Sequence, residues 1–151
     1  MKALIQRVSK GRVLVDGKPV GEIGRGYVVF LGVKQGDSET EGKYLAEKTA
    51  ALRIFPDENG RMNRSIMEAG GAALVISQFT LHADTRKGNR PSFVIAAPAG
   101  DAKRLYEFYI DALKHIMGDD KVAAGVFQAH MQIEIFNDGP VTIELKSRNE
   151  I

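Results

Sequence analysis

The sequence predicts an α+β domain with a largely antiparallel sheet and two main flanking helices. Three observations predict it: short β-prone runs dominate the chain, only two stretches carry helical spacing, and the two kinds never alternate as regular βαβ units. At 151 residues with 44% hydrophobic content, one core and one domain are expected, spanning 1–145 and followed by a polar tail over 146–151.

The first third reads as strands. Ala3 to Val8 and Arg12 to Val15 are apolar-biased, and Asp16-Gly17 is a hairpin signal before Val20 to Ile23. Tyr27 to Leu31 is a continuous β-prone run between Gly26 and Gly32, suited to a strand buried on both faces. Ser38-Glu39-Thr40-Glu41 is a capping box, so a helix is expected over 39–52 with Leu45, Thr49 and Leu52 on one stripe. Asp57-Glu58-Asn59-Gly60 is a turn, and Ala72 to Ser77 is a second buried strand. The polar stretch from Ala83 to Ser92 reads as an exposed loop. A helix over 101–117 follows, with Leu105, Phe108, Tyr109, Ala112 and Ile116 on one face and Gly118 as its stop. Met131 to Phe136 and Val141 to Leu145 both alternate, with Asn137 to Pro140 joining them as a turn. The tail from Lys146 is expected to fray.

Composition removes several classes of chemistry. The chain has no cysteine, hence no disulfide, thiolate nucleophile or Cys-ligated zinc. No apolar run is long enough to span a membrane, and Met1 to Ile5 meets Gln6 and Arg7 too soon for a signal-peptide core, which favours a cytoplasmic protein. His82, His115 and His130 lie far apart in no metal-binding pattern, so no metal and no cofactor are expected. A formal net charge of +2 is too mild to diagnose nucleic-acid binding, so any RNA contact has to come from a local patch. Arg86, Lys87 and Arg90 form such a patch in the polar loop, or an ordinary solvated surface.

Two segments stand out. Ser77-Gln78-Phe79-Thr80-Leu81 closes the central strand, and Asn137-Asp138-Gly139-Pro140-Val141-Thr142 sits near the C-terminus. Gly139 has no side chain and Pro140 lacks an N–H, so that turn presents bare carbonyls on a stiff frame. By residue type alone it is also a plain corner. Thr80 carries a hydroxyl that a base can activate; strand alternation would set His82 on its face, giving a Thr–His pair. A hydrogen-bonding role at the strand end is the other reading of Thr80.

These segments, together with the run Gly88-x-Arg90-Pro91-Ser92-Phe93, closely resemble the D-aminoacyl-tRNA deacylase family, from Met1 to about Leu145. The resemblance implies a curved, barrel-like sheet and a homodimer with active sites at the subunit interface. It implies hydrolysis of the ester of D-aminoacyl-tRNA, and of mischarged glycyl-tRNA, to free amino acid and tRNA. Gly139 and Pro140, as a cis pair, would enter the partner's site and exclude an L side chain, with Arg7 bracing that turn. Ser77, Gln78, Phe79 and Thr80 would form the catalytic segment, main-chain atoms and the tRNA's terminal hydroxyl carrying most of the chemistry. Phe79, Phe127 and Met131 would line the adenosine pocket of the CCA end, and Arg86, Lys87 and Arg90 would meet the acceptor stem. A non-catalytic RNA-end-binding module is the alternative from another class, and a Thr80–His82 esterase acting on small esters is a third.

Overall fold

One long strand organises the sheet. In the computed structural model, which describes residues 1–150, β1 (Lys2–Val15) carries both apolar runs of the N-terminus in a single strand. Along one edge it pairs antiparallel with β3 (Gly26–Gly32) through Lys2 to Val8, and with β2 (Lys18–Ile23) through Gly11 to Val15. Along the other edge it pairs antiparallel with β8 (Gln132–Lys146) over almost its whole length. β3 continues the sheet into β6 (Ala72–Ser77) and β6 into β7 (Val122–Ala124), and both of those pairings are parallel. The sheet is therefore mixed: the long pairings of β1 are antiparallel, as expected for most of the sheet, and the two beyond β3 are parallel. The parallel pairs arise because long connections separate those strands, one of them holding α1 (Glu39–Ala51) and another α2 (Ala99–Met117). A small hairpin of β4 (Phe55–Pro56) and β5 (Met62–Arg64) stands apart.

The sheet curls into a nearly closed barrel. Gly21 on β2 lies against β7 so tightly that a Cβ there would sit 2.6 Å from the Ala124 carbonyl oxygen. Only glycine lets the two edges approach this closely. Val8, Val13, Ile23, Val28, Leu74 and Ile76 fill the barrel interior. The opposite sheet face packs on both helices, with Ile5, Tyr27, Val29 and Leu31 meeting Leu45, Leu105, Tyr109 and Leu113. Alternation along β3 thus feeds two cores, as a strand buried on both faces requires.

Helix α1 starts as its capping box dictates: Thr40 N–H donates to Ser38 Oγ at 3.2 Å, and Ser38 N–H donates to the Glu41 carboxylate at 2.8 Å. Those bonds from Ser38 hold the Glu41 carboxyl below its ordinary range. The helix ends at Ala51, so Leu52 caps it rather than extending its buried stripe. The buried face of α2 is centred on Leu105, Tyr109 and Leu113, with Tyr106 and Ile110 beside them. Phe108, Ala112 and Ile116 form its half-buried margin, so the buried face is rotated from the expected one. Thr49 and Tyr109 join the helices through a buried hydroxyl–hydroxyl bond of 2.7 Å.

Among the described residues the C-terminal tail does not fray as far as Glu150. Ser147 is buried, its N–H donates to the Met1 carbonyl, and its hydroxyl accepts from the Met1 ammonium at 2.7 Å. Asp37 and Glu150 accept from the same ammonium at 2.9 and 3.2 Å. A polar segment is held here because a buried charge demands partners. No helix among the described residues is long and apolar enough to cross a membrane.

Candidate functional site

A cavity of about 730 Å³ opens at the carboxyl ends of the three parallel strands, β3, β6 and β7. Its walls come from the Ser77–Phe79 segment after β6, the start of α2 at Ala99 and Ala102, and the loop from Phe127 to Met131 after β7. Ser77, Gln78, Phe79, Phe127 and Met131, dispersed in sequence, are thereby brought together. Arg7, Thr80, Gly139, Pro140, Arg86, Lys87 and Arg90 do not line it.

The strand breaks at Ser77 and the chain enters a 3-10 turn over Phe79–His82. Gly32 makes room for it, since a Cβ at that position would lie 3.1 Å from the Gln78 carbonyl oxygen and 3.0 Å from Leu81 Cβ. A helical start leaves its first N–H groups without internal acceptors. Accordingly, Phe79 N–H and Thr80 N–H donate to no acceptor among the described residues, whereas Leu81 N–H returns to the Gln78 carbonyl. Gln78 uses its side chain differently: its amide donates to Thr80 Oγ1 at 2.5 Å.

This turn separates Thr80 from His82. Thr80 is exposed, while His82 is 1% exposed and points into the polar cluster around the N-terminus. The expected pairing assumed a continuing strand, and a 3-10 turn does not alternate. Neither ring nitrogen of His82 makes a hydrogen bond, and its closest charged neighbour, Glu150 Oε1, is 3.9 Å from Nδ1. Burial pushes the His82 pKa down from its ordinary 6.5, so the buried ring stays neutral. Asp37, His82 and Glu150 bring potential ligand atoms within 4.8 Å of one another. Their carboxylates are already engaged by the Met1 ammonium, and Lys34 Nζ stands 3.3 Å from Glu150, so this cluster is charge-compensated by the chain itself.

Aromatic contacts shape the cavity. Phe79 is 53% exposed and meets Phe93 edge to face at 5.0 Å between centroids. Phe127 leans on Tyr106 at 5.7 Å, and Tyr106 donates its hydroxyl to the Val75 carbonyl at 3.0 Å. Burial pushes the Tyr106 hydroxyl up to about 12, which keeps it a donor.

The Gly-Pro segment is a bulge and not a hairpin turn. Both halves of β8 pair with β1, and the register passes from Thr142 opposite Gln6 to Asn137 opposite Val8, so Asp138 to Val141 loop out opposite Arg7. The Gly139–Pro140 peptide is cis. Asn137 closes the loop, its Oδ1 accepting from Val141 N–H at 2.9 Å and its Nδ2 donating to the Val141 carbonyl at 3.2 Å. Arg7 Nε donates to the Asp138 carbonyl of the same chain at 2.8 Å, and Arg7 Nη1 to the Ile54 carbonyl at 2.5 Å. Gly139 and Pro140 themselves are exposed.

The basic loop is smaller in charge than its residues suggest. Arg86 forks onto Asp84 at 2.9 and 2.6 Å, holding that carboxyl down at about 2, so its charge is locally cancelled. Lys87 and Arg90 are exposed and form no ion pair among the described residues. Sequence reasoning missed Tyr106 and Gln128 altogether, and gave Phe93 and Asn137, which it named within their segments, no role of their own. The signal for Asn137 was an Asx residue heading the Asp-Gly-Pro run, and for Phe93 its place at the end of the run Gly88-x-Arg90-Pro91-Ser92-Phe93.

The chain is an α+β domain whose barrel-like mixed sheet carries a cavity at its parallel carboxyl ends, with Phe79 and Phe127 in its walls. The chain belongs to the D-Tyr-tRNA(Tyr) deacylase family, whose model matches residues 4–146. A D-aminoacyl-tRNA deacylase of Heliobacterium modesticaldum is 55% identical over 98% of this chain and 97% of its own length. One from Symbiobacterium thermophilum is 52% identical over 97% and 96%. Among solved structures, one described as c-Myc DNA Unwinding Element Binding Protein superposes with a TM-score of 0.93 at 40% identity, covering 97% of this chain and 99% of that one. A probable eukaryotic D-amino acid tRNA deacylase shares the fold, with a TM-score of 0.80 at 17% identity, covering 95% of this chain and 97% of that one.

Proposed function

We propose that the chain hydrolyses the ester joining a D-amino acid to the 3′ end of tRNA, and that it also clears glycine mischarged onto tRNA. The observation that carries this reading is the cavity built from Ser77, Gln78, Phe79, Phe127 and Met131 in a chain of this family. Phe127 and Met131 offer apolar faces for the terminal adenosine. Ser77, Gln78 and Phe79 line the cavity in which the ester would sit, and Thr80 follows directly outside that lining. The unpaired N–H groups of Phe79 and Thr80 suit a developing oxyanion, and such preorganised donors supply a large share of acyl-transfer catalysis. The neighbouring ribose hydroxyl of the tRNA lies beside the ester carbonyl, giving proximity without a protein nucleophile. Thr80 has an amide, and no base, on its hydroxyl, which favours positioning over nucleophilic attack.

Chiral selection in this account needs two copies. Gly139 and Pro140 are exposed and stand outside their own chain's cavity, stiffened by Asn137 and Arg7. A homodimer that inserts each bulge into the partner's cavity would hold the ammonium with main-chain carbonyls and crowd the α-carbon. An L side chain would then point into the clamp and a D side chain away from it. Rejection by a clash ignores side-chain identity, so many D-amino acids and glycine pass. Lys87 and Arg90 would reach acceptor-stem phosphates, a contact that weakens with salt.

A non-catalytic nucleic-acid-binding role is the second reading, favoured by the description of the 40% identical solved structure. One experiment separates the two: deacylation of a single tRNA charged with D-tyrosine, L-tyrosine or glycine, at matched protein and without added metal. Loss of the D-tyrosyl and glycyl esters with the L-ester spared is expected. Equal binding of all three with no hydrolysis would establish the binding module instead.

A further inference from the structure

The loop after β7 holds an unusual residue. Gln128 has φ of +64°, one of only two non-glycine residues with positive φ among those described. This left-handed conformation is unfavourable for a residue with a Cβ, and a turn by itself selects Gly or Asn there. The local turn is a short one, closed by Ala129 N–H donating to the Val126 carbonyl at 3.2 Å. Asp16, the other such residue, sits in a hairpin turn where a short polar side chain is usual. Gln128 has a longer side chain and gains no local bond. The residue is exposed and lines the cavity between Phe127 and Met131, and its amide makes no hydrogen bond among the described residues, so it is free to meet a ligand. Gly125 tightens the same loop, as a Cβ there would lie 2.7 Å from Met131 Sδ. The left-handed turn therefore leaves an exposed glutamine, its carboxamide free of protein partners, in the same cavity wall as Phe127 and Met131.

A carboxamide carries one acceptor and two donors side by side, the complement of a base edge that offers an amino group next to a ring nitrogen. We propose that Gln128 is a specificity-determining residue that reads the 6-amino edge of the terminal adenine, accepting from the amino group and donating to the adjacent ring nitrogen. Phe127 and Met131 then supply stacking surface without base identity, and Gln128 supplies the identity. The inference rests on the deacylase reading above, since that reading puts the 3′-terminal nucleotide in this cavity.

The test uses full-length protein and two tRNAs charged with D-tyrosine, one ending in adenosine and one in purine riboside, which lacks the 6-amino group. Removing the amino group from the substrate should raise KM for the wild-type protein about tenfold at unchanged kcat, the scale of one bidentate base contact. Gln128→Gly keeps the positive φ, so the loop should fold as before, and its KM should already be raised about tenfold on adenosine. Crucially, that variant should no longer distinguish the two ends. Gln128→Glu, which keeps the acceptor but loses the donors, should raise KM on adenosine yet still distinguish the two ends. A Gln128→Gly protein that keeps the wild-type KM ratio between the two tRNAs would overturn the assignment. Failure of the wild-type protein to hydrolyse either ester would overturn the deacylase reading and this inference with it.

Discussion

Replacing Gly139 by alanine is the perturbation whose consequence follows most directly from coordinates. A Cβ on residue 139 would lie 2.4 Å from Val141 N and 2.7 Å from Val141 Cγ2. Ordinary contact begins near 3.4 Å, so the segment has to open by ~1 Å, the difference of the two distances. Val141 N–H is the group that Asn137 Oδ1 holds at 2.9 Å, so this displacement strikes the bond that closes the bulge. The carbonyls proposed to hold the substrate ammonium then move by a similar amount, and a 1 Å misplacement of a binding group can cost about 100-fold in rate. Gly139→Ala should therefore lower kcat/KM on D-tyrosyl-tRNA about 100-fold. Because the bulge protrudes and buries little, Tm should fall by no more than about 5 °C. Single-turnover deacylation beside a thermal melt reads both quantities. A folded Gly139→Ala protein with wild-type rate and wild-type D-over-L preference would refute the clamp.

Two further predictions concern the turn behind the cavity. Thr80→Val removes the hydroxyl that accepts from Gln78 and should lower kcat by less than about tenfold; loss of a nucleophile would cost about 10⁴-fold or more. His82 is held neutral by burial, with its folded pKa below the ordinary 6.5. As pH falls through 6.5 the unfolded chain takes up the proton first, so the stability tied to neutral His82, complete above pH 6.5, is lost as pH drops toward the folded value. Urea midpoints measured from pH 8 to 5.5 should decline more steeply for the wild type than for His82→Leu; parallel curves would show that His82 is not responsible.

Local signals were legible wherever short-range chemistry decides structure. Ser38 and Glu41 announced α1, Gly118 announced the end of α2, and the run from Tyr27 to Leu31 announced a strand buried twice over. What depends on distant partners was not. The parallel pairing of β3 with β6, which creates the cavity, leaves no mark in the alternation of either strand. The break after Ser77 depends on room made by Gly32, forty-five residues earlier in the chain. Asn137 to Pro140 has the composition of a hairpin turn, and only the common partner β1 makes it a bulge. Arg86 was misread for a local reason instead: Asp84, two residues before it, cancels its charge once the side chain folds back. Gln128 had no sequence signal, because a left-handed glutamine looks like any other.

The central claim is that one protomer's Gly139–Pro140 completes the partner's cavity, and mixed dimers test it most directly. Gly139→Ala damages the bulge alone, while Ala129→Trp fills the cavity alone. Each variant by itself should be inactive on D-tyrosyl-tRNA. Reassorted together, about half the dimers are mixed, each with one intact cavity facing one intact bulge, so about a quarter of the wild-type rate should return. Restored hydrolysis that spares L-tyrosyl-tRNA is the predicted result; a mixture as inactive as its components would contradict a site shared between subunits.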